Sequence, residues 1–169
     1  FNSPLYHYIL APVYFTFKGN PNIAVVFLII ANVSVILLLY KLSTVLFKNH
    51  WIGIISGYLW AVSFDQVHFA RHLSNASLMC FFKTIYFLGL AIVFLNKKRY
   101  GLIISVVGLT LATHMNIYLI YLLFLYPVFF FIYRPKIQLG FIIKNFLLLC
   151  GLLSNFILAE IIFKFIGIK

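Results

Sequence analysis

Long apolar runs separated by short polar connections make up most of the chain. Six of these runs are long enough to cross a bilayer with some tilt, because about 20 apolar residues cover its hydrocarbon core. They occupy residues 22–47, 51–70, 76–95, 100–118, 119–133 and 139–163. The pattern therefore predicts an all-α fold, a polytopic bundle of about six transmembrane helices.

The N-terminal segment follows a different pattern. Residues 2–18 are too short and too interrupted by Pro4 and Pro12 for a membrane span, so we predict a re-entrant or interfacial helix. The sequence Gly-Asn-Pro-Asn at residues 19–22 predicts a turn that ends this helix, and Pro21 is well placed to open the next one.

No soluble domain, linker or internal repeat interrupts the runs. We therefore expect one multi-span membrane domain over residues 1–169, with an outward-face interfacial segment at 1–21 and a transmembrane bundle at 22–169. The chain opens on Phe1, without an initiator Met or a signal-peptide pattern, so we expect it to be a fragment of a longer membrane protein.

The composition excludes an ordinary soluble domain. Hydrophobic residues make up 64% of the chain and charged residues 9%, against about 25% charged residues in soluble domains. The net charge of +11 does not indicate nucleic-acid binding, because the thirteen Lys and Arg residues are scattered and form no patch interleaved with exposed aromatic residues. Cys80 and Cys150 lie inside apolar runs, which favours small hydrophobic side chains over a disulfide or metal pair.

Lys and Arg residues are divided unevenly between the two sets of alternating connections. Eight fall on one side, namely Lys41, Lys48, Lys97, Lys98, Arg99, Arg134, Lys136 and Lys144. Only Lys18 and Arg71 fall on the other. Because cytoplasmic connections are enriched in Lys and Arg, the first side is predicted to be cytoplasmic. Arg71, His114 and the 2–20 segment then all face the non-cytoplasmic side.

One short polar stretch, Ala-Arg-His-Leu-Ser-Asn-Ala-Ser at residues 70–77, lies between two apolar runs. Just upstream, Asp65 and His68 share a helical face with His72, because these positions fall at i, i+3 and i+7. The three side chains could clasp a divalent metal. The stretch could also be a loop that reaches water. Polar groups beside hydrocarbon cost free energy, so the cluster is a candidate functional site.

Four residues are candidates for contact with a phosphate or a substrate. Arg71 has the shape for a bidentate phosphate contact, or it snorkels to lipid head groups. Asn75 fits a helix N-cap, with Ser74 as the competing candidate, and an outward helix N-terminus also favours an anion. His114 is either a hydrogen-bonded structural residue or a ligand. Lys83 lies about 12 Å beyond Asn75 along the third run, where it lines a site or snorkels to the surface.

Three stretches, in this order and spacing, carry a family resemblance. The opening NSPLYHYILAPVYFTFKGNP is similar to a His-x-Pro-Leu-x-Tyr-Tyr segment followed by Gly-Asn-Pro. YLWAVSFDQVHFARHLSNASLM is similar to Ala-x-Ser-Pro followed by Ser-Arg-x-x-Trp-Asn-Pro-Ser-Leu, and GLTLATHMNIYLI to Gly-Leu-Ala-Leu-x-(His/Lys). Together they resemble the GT-C group of polyprenyl-phosphate-sugar-dependent glycosyltransferases, which includes protein O-mannosyltransferases and bacterial RgtA/B/C/D-like enzymes.

The resemblance implies an inverting glycosyltransferase in a membrane, expected to be the bacterial plasma membrane, with its active face non-cytoplasmic. Its partners would be membrane lipids, a polyprenyl-phosphate-linked sugar donor, and a lipid, glycan or protein that offers an acceptor hydroxyl. Arg71 and Asn75 would line the outward cavity, and His114 would meet the donor phosphate. The catalytic acid of the family precedes the His-x-Pro segment, so we expect it upstream of Phe1. No cofactor is implied beyond the divalent metal considered above.

The chain departs from the family pattern at four positions. Asn2, Phe64, Ser74 and Ala76 stand where the family has His, Pro, Trp and Pro. The sequence also contains no paired carboxylates for acid and base catalysis. Two alternatives therefore stay open: a non-enzymatic multi-span transporter, and a relative that has lost activity and serves in assembly.

Overall fold

The computed structural model describes the backbone of residues 4–133 and 139–165, and the side chains of residues 5–133 and 140–154. Every regular element in those residues is helical, which confirms the predicted all-α fold. The elements are α1 (Pro4–Thr16), α2 (Pro21–Phe47), α3 (His50–Val62), α4 (Phe64–Arg71), α5 (Asn75–Phe94), α6 (Tyr100–Met115), a 3-10 helix (Ile117–Phe124), α7 (Leu125–Tyr133) and α8 (Leu139–Phe165).

Two of the described helices, α2 and α5, are long and apolar enough to cross a membrane. They correspond to the first and third predicted runs. The helices at Tyr100–Met115, Ile117–Tyr133 and Gly140–Ser154 are apolar but shorter within the part of the chain that was described. Length and composition thus support membrane association, and the count of six spans stays a prediction.

The turn before α2 forms as predicted. Asn20 is the N-cap residue, and its side-chain oxygen accepts a hydrogen bond from the backbone N–H of Asn22 at 3.0 Å. Pro21 follows as the first helical residue. Proline fits this position because a backbone N–H there would have no hydrogen-bond partner within the helix. Upstream, α1 is a helix of 13 residues with Pro12 inside it, too short to cross a bilayer.

The second predicted run, at 51–70, is not one helix. It divides into α3 and α4 at Ser63, whose backbone is extended (φ −66°, ψ 118°). Two hydrogen bonds from α2 support this break. The side chain of Asn32 accepts one from the indole N–H of Trp60 at 3.1 Å, and donates one to the backbone carbonyl of Gln66 at 3.4 Å. The prediction of one continuous helix over 51–70 is therefore wrong.

Helices α5 and α6 are antiparallel neighbours and pack along most of their lengths. Three glycines, Gly89, Gly101 and Gly108, allow the close approach of their backbones. A Cβ atom on Gly89 would collide with the backbone of Ser105, and one on Gly108 would lie 2.6 Å from the backbone nitrogen of Tyr86. Small residues permit such crossings where two apolar helices meet. The main apolar core of the bundle is built around this crossing.

The segment after α6 returns alongside α5. The hydroxyl of Tyr86 donates a hydrogen bond to the carbonyl of Leu122 at 2.7 Å, which fixes the 3-10 helix beside the middle of α5. The ring of Phe94 stacks on the ring of Phe129 at 5.3 Å between centroids, which places α7 beside the end of α5. The fifth predicted run is thus helical, but it begins as a 3-10 helix.

A smaller apolar core joins α1 to the beginnings of α2 and α5 and to the end of α6. Its buried members are Tyr6, Leu10, Ala24, Leu28, Leu78 and Met115. We call this part of the molecule the α1 end of the bundle. The connections from α2 to α3 and from α5 to α6, with Lys48, Lys97 and Lys98, lie at the opposite end. The alternating directions therefore separate these lysines from the α1 end.

Candidate functional site

The polar residues singled out in the sequence occupy several elements near the α1 end. Asp65, His68 and Arg71 belong to α4, His72 follows it, Asn75 begins α5, His114 lies in the last turn of α6, and Lys83 lies further along α5. Whether these residues share one binding site depends on the contacts of each.

His68 on α4 contacts His72, which directly follows the helix. The Nε2 atoms of His68 and His72 are 3.0 Å apart, and their rings meet edge to face at 4.4 Å between centroids. His72 has an extended backbone beyond the end of the helix, so the predicted helical face does not continue to it. In the described part of the chain, no group of three or more His, Cys, Asp or Glu side chains is placed to hold a metal ion. The predicted metal clasp with Asp65 is therefore not formed.

Asn75 joins α5 to α6. Its side-chain amide donates a hydrogen bond to the backbone carbonyl of Met115 at 2.9 Å, across 40 residues of sequence. The N-cap position of α5 belongs to Ser74, which makes no side-chain capping bond. Of the two predicted N-cap candidates, Ser74 is therefore confirmed and Asn75 is not. As the first helical residue, Asn75 instead donates its amide to a backbone carbonyl at the end of α6, where the last carbonyls lack helical partners.

His114 joins α6 to α8. The residue is half-buried, and its Nε2 atom lies 3.1 Å from the backbone carbonyl of Leu152. A carbonyl oxygen only accepts, so Nε2 is the donor in this contact. α6 ends one residue later, at Met115, which is earlier than the predicted end of the fourth run at residue 118. There Asn116 accepts a hydrogen bond from the backbone N–H of Tyr118 and starts the 3-10 helix.

Arg71 lies on a cleft between α2, α3 and α4. The cleft has a volume of about 380 Å³, within the range of small-molecule sites. Its walls are formed by Ile29, Asn32, Val33, Ile36, Trp60, Ala61, Gln66, Val67, Ala70 and Arg71. The guanidinium of Arg71 is exposed and makes no hydrogen bond or ion pair with any described residue. Asn75 and His114 are not part of this lining, so the cleft contains only one of the three predicted phosphate contacts.

Asn32 is the polar residue that the sequence reasoning missed. It is 6% exposed in the middle of α2 and forms one wall of the cleft. Its hydrogen bonds to Trp60 and to the Gln66 carbonyl hold α3 and α4 against α2. The sequence did contain a signal for this residue, namely a carboxamide inside a long apolar run, because a polar side chain in such a run needs a hydrogen-bond partner.

Two hydroxyls at the α1 end are buried without a hydrogen-bond partner among the described residues: those of Tyr6 and Ser74. Tyr6 is 3% exposed, and burial raises the pKa of its phenol to about 12, with a smaller contribution from Tyr14. The phenol therefore stays protonated at neutral pH and keeps its hydrogen for an acceptor. Neither hydroxyl was predicted from the sequence to take part in chemistry.

Lys83 is half-buried on α5, eight residues beyond Asn75. It is not among the residues that line the described cleft. The contacts of the described residues thus bring Asn75 next to the end of α6, place Arg71 on a separate cleft, and leave Lys83 further along α5.

We expect Asn32→Leu to lower the stability of the bundle by about 1 kcal/mol, because the indole N–H of Trp60 loses its acceptor inside an apolar environment. The measurement is the thermal unfolding midpoint in detergent, with a fall of about 3 °C expected for a chain of this size. Ser34→Ala is the matched control, since the Ser34 hydroxyl bonds only to Ile30 in its own helix. An unchanged midpoint for Asn32→Leu would contradict the structural role given to this residue.

Comparison of the chain with protein-family models, with curated proteins and with solved structures finds no match.

Proposed function

We propose that this chain is the membrane region of a glycosyltransferase that moves a sugar from a polyprenyl-phosphate donor to an acceptor hydroxyl. The six apolar runs are its membrane spans, and transfer takes place at the non-cytoplasmic face of the bacterial plasma membrane. Arg71, Asn75 and His114 contribute to the donor site, while the catalytic acid belongs to sequence upstream of Phe1.

The observation that carries the proposal is the hydrogen bond from Asn75 to the Met115 carbonyl. It ties the beginning of α5 to the end of α6, so the polar stretch after α4 and His114 lie at the same end of the bundle. A lipid-phosphate donor keeps its tail in hydrocarbon and its phosphate at the interface. Cations at that interface stabilise the negative charge that develops on the departing phosphate.

The break between α3 and α4 gives independent support. Phe64 is the first residue of α4, at the position where the resembled family has proline. Proline is favoured at the first position of a helix. The backbone at Ser63 and Phe64 therefore has the conformation that the family's Ser-Pro sequence would specify, although this chain lacks the proline.

The charge distribution supports the orientation. Lys48, Lys97 and Lys98 lie at the end of the bundle opposite to α1, and basic connections favour the cytoplasm. We expect single cysteines at Asn49 and Lys98 to be labelled only from the cytoplasmic side, and a cysteine at His72 only from outside. Each single cysteine is introduced into a background protein from which Cys80 and Cys150 have been removed. Labelling of Lys98 and His72 from the same side would exclude the orientation and the outward site together.

The proposal is tested with the full-length protein in vesicles, supplied with a radiolabelled polyprenyl-phosphate sugar and with lipid, glycan or peptide acceptors. The expected result is a labelled covalent product that requires the acceptor. A membrane preparation without the protein is the control. Absence of transfer to any of the three acceptor classes by folded protein would overturn the assignment.

The helix break also favours a second candidate, a small-solute transporter. Transporters bind substrates at interrupted helices near the middle of the bilayer, and Asn32 places a buried carboxamide beside the α3–α4 break. The same vesicles distinguish the two functions. A transporter moves an unmodified solute across the membrane and forms no covalent product.

A further inference from the structure

The cleft beside Arg71 combines apolar walls with two uncommitted polar groups. Ile29 and Ile36 lie seven residues apart on α2, so the α2 wall extends about 10 Å along the helix axis. The side-chain amide of Gln66 makes no hydrogen bond with any described residue, and neither does the guanidinium of Arg71. The cleft is therefore shaped for a ligand with a long apolar part and a polar, anionic head.

The positive net charge of the chain favours a ligand with an anionic head group. The sequence has two acidic residues against thirteen Lys and Arg, and Arg71 has no ion pair among the described residues. Arg71 ends α4, whereas Gln66 lies more than one turn earlier in the same helix. A glycerophospholipid offers a phosphate for the guanidinium and, deeper, ester carbonyls that accept a hydrogen bond from a carboxamide.

We propose that the cleft between α2, α3 and α4 holds one acyl chain of an anionic glycerophospholipid, with the lipid phosphate on Arg71 and an ester carbonyl on Gln66. Ile29, Val33 and Ile36 contact the acyl chain from one side, and Trp60 contacts it from the other. The site does not depend on the glycosyltransferase assignment. A sugar donor that uses the same guanidinium must displace this lipid.

Trp60 provides a direct readout. The chain has two tryptophans, and Trp51 is 73% exposed and is not in the cleft lining. In a Trp51→Phe background Trp60 is therefore the single reporter. The chain is reconstituted in phosphatidylcholine vesicles that contain phosphatidylglycerol with brominated acyl chains, because bromine quenches tryptophan fluorescence on contact.

A parallel experiment uses phosphatidylcholine with brominated acyl chains. We expect Trp60 quenching to give an affinity for phosphatidylglycerol about fivefold higher than for phosphatidylcholine, which is the preference that one Arg near an anionic lipid provides. Arg71→Gln removes this preference, whereas Lys18→Gln, which removes the same charge outside the cleft, retains it. Val33→Phe fills the cleft, keeps the charge and lowers quenching by both lipids. It also tests the proposal if Arg71→Gln fails to fold.

Competition with unbrominated lipids distinguishes a glycerophospholipid phosphate from the phosphate of a polyprenyl carrier lipid. Unbrominated phosphatidylglycerol should relieve the quenching at least as well as undecaprenyl phosphate at the same mole fraction. Stronger relief by undecaprenyl phosphate would assign the cleft to a carrier lipid and overturn the glycerophospholipid assignment. Equal quenching by the two brominated lipids, or an unchanged preference in Arg71→Gln, would also overturn it. Sugar transfer enters none of these measurements. Stronger relief by undecaprenyl phosphate would overturn the glycerophospholipid assignment while agreeing with a donor phosphate at Arg71, so the two proposals fail in distinguishable ways.

Discussion

Gly89→Ala should destabilise the bundle by about 3 kcal/mol, although alanine is the better helix former. The new methyl group would collide with the backbone of Ser105 and lie 2.8 Å from the carbonyl oxygen of Gly101. Both obstacles are backbone atoms of α6, so no side chain can rotate away and the two helices must separate. Overpacking of this kind costs about 1–3 kcal/mol, and this site is at the upper end because only the backbone can move.

The measurement is the thermal unfolding midpoint in detergent, for which we expect a fall of about 10 °C. Gly151→Ala is the matched control, because a Cβ atom there meets nothing within 4 Å. The control should gain about 0.5–1 kcal/mol from helix propensity. If the two variants unfold at the same temperature, the close crossing of α5 and α6 is incorrect.

The predictable part of the fold is the part that local sequence decides. The start of α2 follows from a turn, a capping Asn and a proline at 19–22, all within one short stretch. The break at Ser63 has a weaker local signal, a serine at the N-cap with Gln66 three residues later, and no proline or glycine directly precedes α4. Its hydrogen bonds come from Asn32, 28 and 34 residues away from Trp60 and Gln66. The hydropathy pattern of the sequence carries no information about hydrogen-bond partners that are this far apart.

The 3-10 conformation after α6 was not predictable for a related reason. Residues 117–124 are uniformly apolar, and that composition fits an α-helix equally well. In the folded chain, the carbonyl of Leu122 accepts a hydrogen bond from the Tyr86 hydroxyl on α5. Tertiary contacts of this kind override the weak local preference between helix types.

The candidate site was predictable in its location and less so in its contacts. Because successive apolar runs alternate in direction, the sequence alone predicts that the stretch before α5 and the end of α6 lie at the same end of the bundle. Sequence does not indicate that the amide of Asn75 bonds to Met115, or that His114 bonds to Leu152. Local capping preference favours Asn75 as a cap, whereas a carbonyl 40 residues away decides its role.

The strongest functional prediction concerns Arg71 and His114 in the full-length protein. If both contact the donor phosphate, each of Arg71→Gln and His114→Gln should slow sugar transfer about 10- to 100-fold, since a charge-assisted contact contributes about 1.5–3 kcal/mol. Glutamine at 114 keeps an N–H donor for the Leu152 carbonyl and removes the capacity for positive charge. Lys18→Gln is the control for the loss of one cation, and we expect its rate to be unchanged.

The double variant tests whether the two residues act on one anion. Residues that stabilise the same group are not additive, so the combined loss should be smaller than the product of the two single losses. Arg71 and His114 lie on different helices, and Arg71 borders a cleft that His114 does not line. Strictly multiplicative losses would therefore indicate two separate contacts with the substrates. Full activity in both single variants would exclude a phosphate site at these residues.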